Sequence, residues 1–438
     1  MRVGIVTTWY PRGAAYVSQQ YARALEPAHE LFIFARGGER PAASDTEWHG
    51  PNVHWGREPV IDAGPTSLDL RDFADWLDRE RIACVIFNEQ WWLEPLLVCA
   101  RKGVRTVAYL VEYRTEQLPL YDAFDLLIAH TRQQHATFAG RHPGTHYVPW
   151  GTDLAYFRPE TLEPAEAGAV TFVHSAGLNA DRKGTDLVVT AFAQLHDEGV
   201  HHARLRLHSQ GAIRAKLDEK RLARLEKAGV LAYRGPDAPD PSARAPMTER
   251  RDLYLHGDVY VYPSRFDGLG LSVPEASACG LWCLTTDAPP MNEFIADGNG
   301  RTIAIARSYA SGRAHHQFVE PSIDALVDRM RECARDLGAS WKRSARDFAD
   351  ANFDWMRNAR DFPSIVASGA SQDAHVKAAA LEAVRLYEAA RRTTLRAQVA
   401  HRWPWVVRAA RGLARGLARG LARAFRASPA RGDDRFGG

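Results

Sequence analysis

The chain has 438 residues, 45% hydrophobic, 25% charged and 10% aromatic. This is an ordinary globular composition and argues against a wholly disordered or fibrous chain. With 56 Lys and Arg against 53 Asp and Glu, the net charge of +3 leaves no global field to hold nucleic acid.

The charge is uneven. Residues 1–160 carry 16 basic and 20 acidic residues, net −4, whereas residues 401–438 carry 9 Arg and 2 Asp, net +7. A basic tail on a near-neutral body fits contact with a polyanion such as a membrane surface. The cysteines, Cys84, Cys99, Cys279, Cys283 and Cys333, are odd in number and contain no CxxC pair, so they read as reduced, buried small hydrophobes. The apolar start, Val3 to Val6, is too short for a signal peptide, and no run of 18 apolar residues is present. The expected location is the cytoplasm.

Short apolar runs with little alternation fall at Val3–Thr7, Leu31–Ala35, Cys84–Phe87, Thr106–Val111, Leu126–Ala129 and His146–Pro149. Such runs read as strands covered on both faces. Helical patterns lie between them at Ser18–Leu25, Leu68–Asp78, Trp91–Ala100 and Arg132–Phe138. Strand alternating with helix implies right-handed crossovers and a parallel sheet. Periodicity stops near Phe157–Gly168, a linker marked by Pro159 and Pro164.

A second series follows. Its strands are expected at Val170–His174, Arg204–His208, Leu231–Tyr233, Val259–Tyr262 and Trp282–Thr285. Its helices are expected at Thr185–His196, Thr248–His256, Pro274–Ala278, Ile323–Leu337 and Trp341–Asn352. About ten strands is near the limit for one open sheet, which favours two doubly wound domains. The expected division is 1–157 and 169–365 around a linker at 158–168, then a helical region at 366–400 crossing back to the first domain, then the tail.

In open α/β sheets, ligands bind beyond the carboxyl ends of the strands. Three loops therefore matter. The first, Thr7 to Ala15, carries Gly13 before a helix and reads either as a plain turn or as an anion cradle. It has neither GxGxxG nor GxxxxGK[ST]. The second, Gly177 to Asp186, places Arg182, Lys183 and Gly184 just before a helix, as a solvated turn or a phosphate contact. The third runs from Tyr262 to Ala276 and contains Asp267, Gly268, Leu269, Gly270, Leu271 and Glu275. Its two carboxylates, eight residues apart, read as a turn cap and a surface charge, or as acceptors for sugar and ribose hydroxyls.

The segment Pro263-Ser264-Arg265-Phe266-Asp267-Gly268-Leu269-Gly270-Leu271, ending in Glu275-Ala276, resembles the E-x7-E motif of retaining GT-B glycosyltransferases, here as D-x7-E. Val148-Pro149-Trp150-Gly151-Thr152-Asp153 resembles that family's crossover into its second domain, and Arg182-Lys183-Gly184 its donor-phosphate segment. Asn352-Phe353-Asp354-Trp355 resembles the stretch before the chain recrosses. The resemblance spans about Met1 to Tyr387. It implies a GT-B fold of two Rossmann-like domains facing across a cleft, and sugar transfer from a nucleotide diphosphate donor with retention. No metal or other cofactor is implied.

By that resemblance, Glu275 binds the donor ribose, and Asp267 with the Gly268–Leu271 amides binds the sugar and diphosphate. Lys183, with Arg182, neutralises the leaving group. Three departures stand out: Asp267 replaces Glu, Leu178 replaces an Arg, and the usual first-domain His is missing, with Glu112 nearest its place. They leave a second reading, a catalytically silent nucleotide-sugar-binding or scaffold protein.

Other features are less telling. His201 and His202 precede a strand that His208 ends, so convergence on a metal is not implied, and His315 and His316 read as solvated. Trp91 and Trp92 read as core or as an acceptor-sugar platform. In the tail, Arg411, Arg415, Arg419 and Arg423 recur every four residues, as do Leu413, Leu417, Leu421 and Phe425 two positions later. On a helix the two sets lie on opposite faces, the pattern of a basic interfacial helix over 402–426, with its 401–438 tail resting on the inner face of the plasma membrane. The expected partners are thus a nucleotide-sugar, a glycan or lipid-linked acceptor and an anionic membrane, with no nucleic acid.

Overall fold

The computed structural model describes residues 1–37, 48–59, 66–163, 168–244, 249–310, 315, 317–336 and 338–391. The expectations for the 402–426 helix, His316 and part of the 158–168 linker lie outside these residues.

Two parallel sheets form the architecture. The first contains β1 (Arg2–Thr7), β2 (Glu30–Ala35), β3 (Val53–Trp55), β4 (Cys84–Asn88), β5 (Arg105–Tyr109), β6 (Leu126–Ala129) and β7 (Thr145–Tyr147). Its order is β3-β2-β1-β4-β5-β6-β7. The second contains β8 (Val170–Ser175), β9 (Ala203–His208), β10 (Leu231–Arg234), β11 (Val259–Tyr262), β12 (Trp282–Thr286) and β13 (Gly300–Ile303). Its order is β10-β9-β8-β11-β12-β13. Both are doubly wound, with order reversing between β1 and β4 and between β8 and β11. The wholly buried central strands β4, β11 and β12 explain the unbroken apolar runs in the sequence.

Local chemistry sets the helix starts. Asp69 caps the helix Leu70–Arg79 through the amides of Arg71 and Asp72. Thr131 and Gln134 form a capping box on Arg132–Phe138. Asp218 caps Glu219–Lys227, a helix absent from the sequence expectations although Leu222 and Leu225 bury its inner face. The strands β3 and β13 also went unforeseen, because each is short and partly polar. So did the antiparallel hairpin of β14 (Ile305–Tyr309) and β15 (Phe318–Pro321), whose first strand is exposed throughout. The helix expected over Thr248–His256 is one turn, Asp252–Leu255. The helix expected from Ser18 begins at Gly13, bringing its N-terminus to the cleft.

The chain crosses between domains twice, and the two crossings are bonded together. Thr152 N donates to Phe353 O at 2.7 Å, and Trp355 N donates to Thr152 O at 3.2 Å. Around them, Trp150 and Trp355 lie 4.9 Å apart by ring centroid, and Trp355 Nε1 donates to Gln20 O at 2.7 Å. After recrossing, the helix Ala374–Arg391 packs on the first domain. Ala380 and Val384 enter its core, Lys377 pairs with Asp125 at 2.6 Å, and Glu388 accepts from Leu93 N at 2.9 Å.

Trp355 is 1% exposed and touches Tyr21, His130, Trp150 and Phe362. Truncating a buried Trp costs about 3–5 kcal/mol. Trp355→Ala is expected to lower the melting temperature by roughly 6–20 °C, read by differential scanning calorimetry.

Candidate functional site

The loops after β8 and β11 leave the second sheet on either side of its switch point and are pressed together. Gly184 makes this possible. Its φ is +68°, and an added Cβ would lie 2.2 Å from Pro263 O. Arg265 N donates to Arg182 O at 2.8 Å, and Ser264 Oγ donates to the same oxygen at 3.2 Å. Arg265 in turn pairs with Asp186 at 2.8 Å and Glu320 at 2.7 Å, tying the hairpin to this junction.

Asp267 sits where the loops meet. Its Oδ2 accepts from Lys183 Nζ at 2.7 Å, from Arg182 Nη1 at 2.9 Å and from the Tyr262 hydroxyl. Its Oδ1 accepts the amides of Leu269 at 3.2 Å and Gly270 at 3.1 Å. Those two amides, expected to face a donor, are therefore turned onto Asp267 here. Burial pushes the Asp267 carboxyl up, but Lys183 and Arg182 overcome it and hold it well below the usual carboxylate range. Burial lowers the Lys183 amine to about 8 despite Asp267. One carboxylate faces two cations, so the cluster carries an excess positive charge suited to an anion.

Glu275 lies in the helix Ser272–Ala278 and is 6% exposed. Its Oε2 accepts from the Tyr254 hydroxyl at 2.9 Å, and its Oε1 accepts from Arg250. Burial raises its carboxyl, opposed chiefly by Arg250. Thus Asp267, Lys183, Arg182 and Glu275 converge. Leu178 does not join them: its side chain is 64% exposed, and Arg182 supplies the second cation on Asp267.

The first domain closes the other side. An added Cβ on Gly268 would lie 2.4 Å from Val111 Cγ1, so this loop position accepts no side chain. Gln134 Nε2 donates to Gly268 O at 2.7 Å. Gly13, at the N-terminus of its helix, approaches Leu271 Cδ1 to 3.3 Å by the same measure. Glu112 follows β5, and burial raises its carboxyl, with Arg182 the main opposing charge. Trp92 is core, whereas Trp91 is half-buried and donates from Nε1 to Glu112 O at 3.0 Å.

Four residues escaped the sequence reading: Tyr254 and Arg250 on Glu275, Tyr262 on Asp267, and Glu89. Glu89 follows β4 at the first sheet's switch point with φ +54°, rare for a non-glycine residue, and burial raises its carboxyl. Arg36 holds the backbone there, with Nη2 donating to Asn88 O and, at 3.4 Å, to Glu89 O. Position at or just beyond a strand end was the available signal for Tyr262 and Glu89. None marked Arg250. Among the described residues, no group of three His, Cys, Asp or Glu could hold a metal ion.

Residues 169–320 match the family described as Glycosyl transferases group 1. The match lies wholly within the second domain. The chain is 27% identical over 210 residues to a Bacillus subtilis protein described as "Putative glycosyltransferase EpsF", covering 41% of this chain and 49% of that one. It thus spans about half the length of that relative. Among solved structures it resembles Anabaena Alr3699/HepE in complex with UDP and glucose, with TM-score 0.62 and 15% identity, covering 84% of this chain and 100% of the other. It also resembles WaaG, a glycosyltransferase involved in lipopolysaccharide biosynthesis, with TM-score 0.58 and 16% identity, covering 83% and 100%. The two domains together have the GT-B fold.

The lowered Lys183 amine sets a pH dependence. Its folded value, about 8, lies below its ordinary 10.5, so the cation is present below pH 8 and lost above it. Affinity for pyrophosphate, measured by calorimetry, is expected to fall roughly tenfold between pH 7 and pH 9.5. Lys183→Arg is expected to bind with little change over that range, since Arg stays charged.

Proposed function

We propose that the chain is a retaining glycosyltransferase that moves a sugar from a nucleotide diphosphate donor to a glycan or lipid-linked acceptor in surface polysaccharide biosynthesis. The observation that carries this reading is the Lys183–Asp267–Arg182 cluster at the second sheet's switch point, beside the buried Glu275. The group 1 domain match and the likeness to an Anabaena protein that holds UDP and glucose support a nucleotide-sugar as substrate. The WaaG likeness supports a surface-glycan acceptor.

The chemistry divides among named groups. Glu275 accepts the ribose hydroxyls, and Asp267 accepts sugar hydroxyls as it yields part of its present network. Leu269 and Gly270 amides, with Gly13 opposite, then face the diphosphate. The acceptor hydroxyl oxygen bonds to the anomeric carbon on the face the diphosphate leaves and passes its proton to the departing phosphate oxygen, while the electron pair of the broken bond leaves with the diphosphate and Lys183 and Arg182 stabilise that charge. Such preorganised stabilisation is commonly the largest catalytic contribution. Glu112 faces the acceptor side. The reaction uses no metal or other cofactor. The reading of a silent nucleotide-sugar binder draws on the three departures from the family pattern, of which Leu178 is exposed here and meets no part of the Asp267 cluster.

The enzyme works in the cytoplasm and rests on the inner membrane face through residues 402–426. No helix among the described residues is long and apolar enough to cross a membrane.

A thermal-shift screen with UDP, GDP, ADP, CMP and dTDP is expected to give a selective rise for one nucleotide, because binding stabilises the native state by mass action. Glu275→Ala is expected to weaken that binding by about tenfold or more. Lys183→Ala is expected to cut transfer roughly 100-fold or more while the fold survives. Donor left intact by a protein that binds nucleotide would favour the silent reading. Deleting 402–438 is expected to abolish binding to anionic liposomes, and undiminished binding would refute the membrane role.

A further inference from the structure

Arg250 bridges three parts of the molecule. Its Nη2 donates to Glu275 Oε1 in the second domain. Its guanidinium carbon stands 3.6 Å over the ring of Tyr16, in the first domain's helix Gly13–Leu25. It also stands 5.2 Å from the ring centroid of Phe157, where the chain passes between the domains. The other Glu275 oxygen is engaged by Tyr254 at 2.9 Å, so Arg250 covers the oxygen that remains.

We propose that Arg250 is a positioning residue that gates the donor site by occupying the carboxylate oxygen a ribose must reach, and that its displacement frees the Tyr16 contact between the domains. This rests on the reading of Glu275 as the ribose-binding acid. Glu275 is buried, and the guanidinium lies over the approach to Oε1, so nucleotide binding bears the cost of breaking an ion pair whose cation also rests on the Tyr16 ring. Such ion pairs and cation–π contacts strengthen as water is excluded. Linkage makes the effect reciprocal: the contact that weakens nucleotide binding is itself weakened by nucleotide. Donor arrival thereby loosens the first-domain helix that carries Gly13, on the opposite wall of the cleft.

The test is calorimetric titration with UDP, or with the nucleotide selected by the thermal screen if that is not UDP. The variants are Arg250→Met, Arg250→Lys, Tyr16→Leu and Glu275→Ala. Arg250→Met keeps an apolar stem between Tyr16 and Phe157 without the charge. It is expected to bind nucleotide about fivefold or more tightly than the unaltered protein. Arg250→Lys is expected to return toward the unaltered affinity, and Tyr16→Leu to tighten binding by a smaller factor. A purely structural role predicts weaker or unchanged binding in Arg250→Met, and either result overturns the proposal. Should Arg250→Met fail to fold, no tightening in Tyr16→Leu overturns it. Glu275→Ala separates the two readings: binding retained there removes the ribose assignment itself, whereas binding lost there with no gain in Arg250→Met removes only the gate.

Discussion

The second domain's switch point is organised around one largely buried carboxylate. The Asp267 carboxylate receives Lys183, Arg182 and Tyr262 on one oxygen and the amides of Leu269 and Gly270 on the other. A carboxylate taken out of water costs several kcal/mol unless its lone pairs are met, and breaking a buried pair by removing one partner costs about 3–5 kcal/mol. Its partners come from the ends of β8 and β11. Meeting that charge therefore fixes how the two loops approach, and the approach in turn forbids a side chain at Gly184.

The same arrangement makes the cleft chemically asymmetric. The second domain presents an excess of positive charge in the Asp267 cluster. The first presents the carboxyls of Glu89 and Glu112, both raised by burial and both acted on by Arg182 across the gap. The domains are held in register by the bonded double crossing at Thr152 and Trp355 and by the close seats of Gly268 against Val111 and Gly13 against Leu271. At both seats a glycine on one wall receives an apolar side chain from the other.

Much of this was legible in residue order. The strands β1, β2, β4, β6, β8, β11 and β12 announce themselves as apolar runs because they are covered on both faces. The strands β3 and β13 do not, since partial burial leaves room for polar residues such as His54, Arg301 and Thr302. Asp267, Lys183 and Arg182 were found because each lies in a patterned loop after a strand, and Glu275 because it opens the helix that follows such a loop. Arg250 and Tyr254 were not, although a helix was expected over Thr248–His256, because neither stands in a loop beyond a strand end and only packing brings them to Glu275.

Composition, strand spacing and loop chemistry by themselves determined two doubly wound domains, the loops where ligands go, and a D-x7-E segment preceded by two cations. These follow from local rules: burial on both faces dictates apolar runs, and tight turns dictate glycine. Only the tertiary structure decided which groups share a charge. Arg182 pairs with Asp267, 85 residues away, while Leu178, nearer the strand end, points to solvent. Glu275 is covered by Arg250, itself stacked on Tyr16 from the other domain. Electrostatics acts through space, and the distances that set it are fixed only when the two sheets and both crossings are packed.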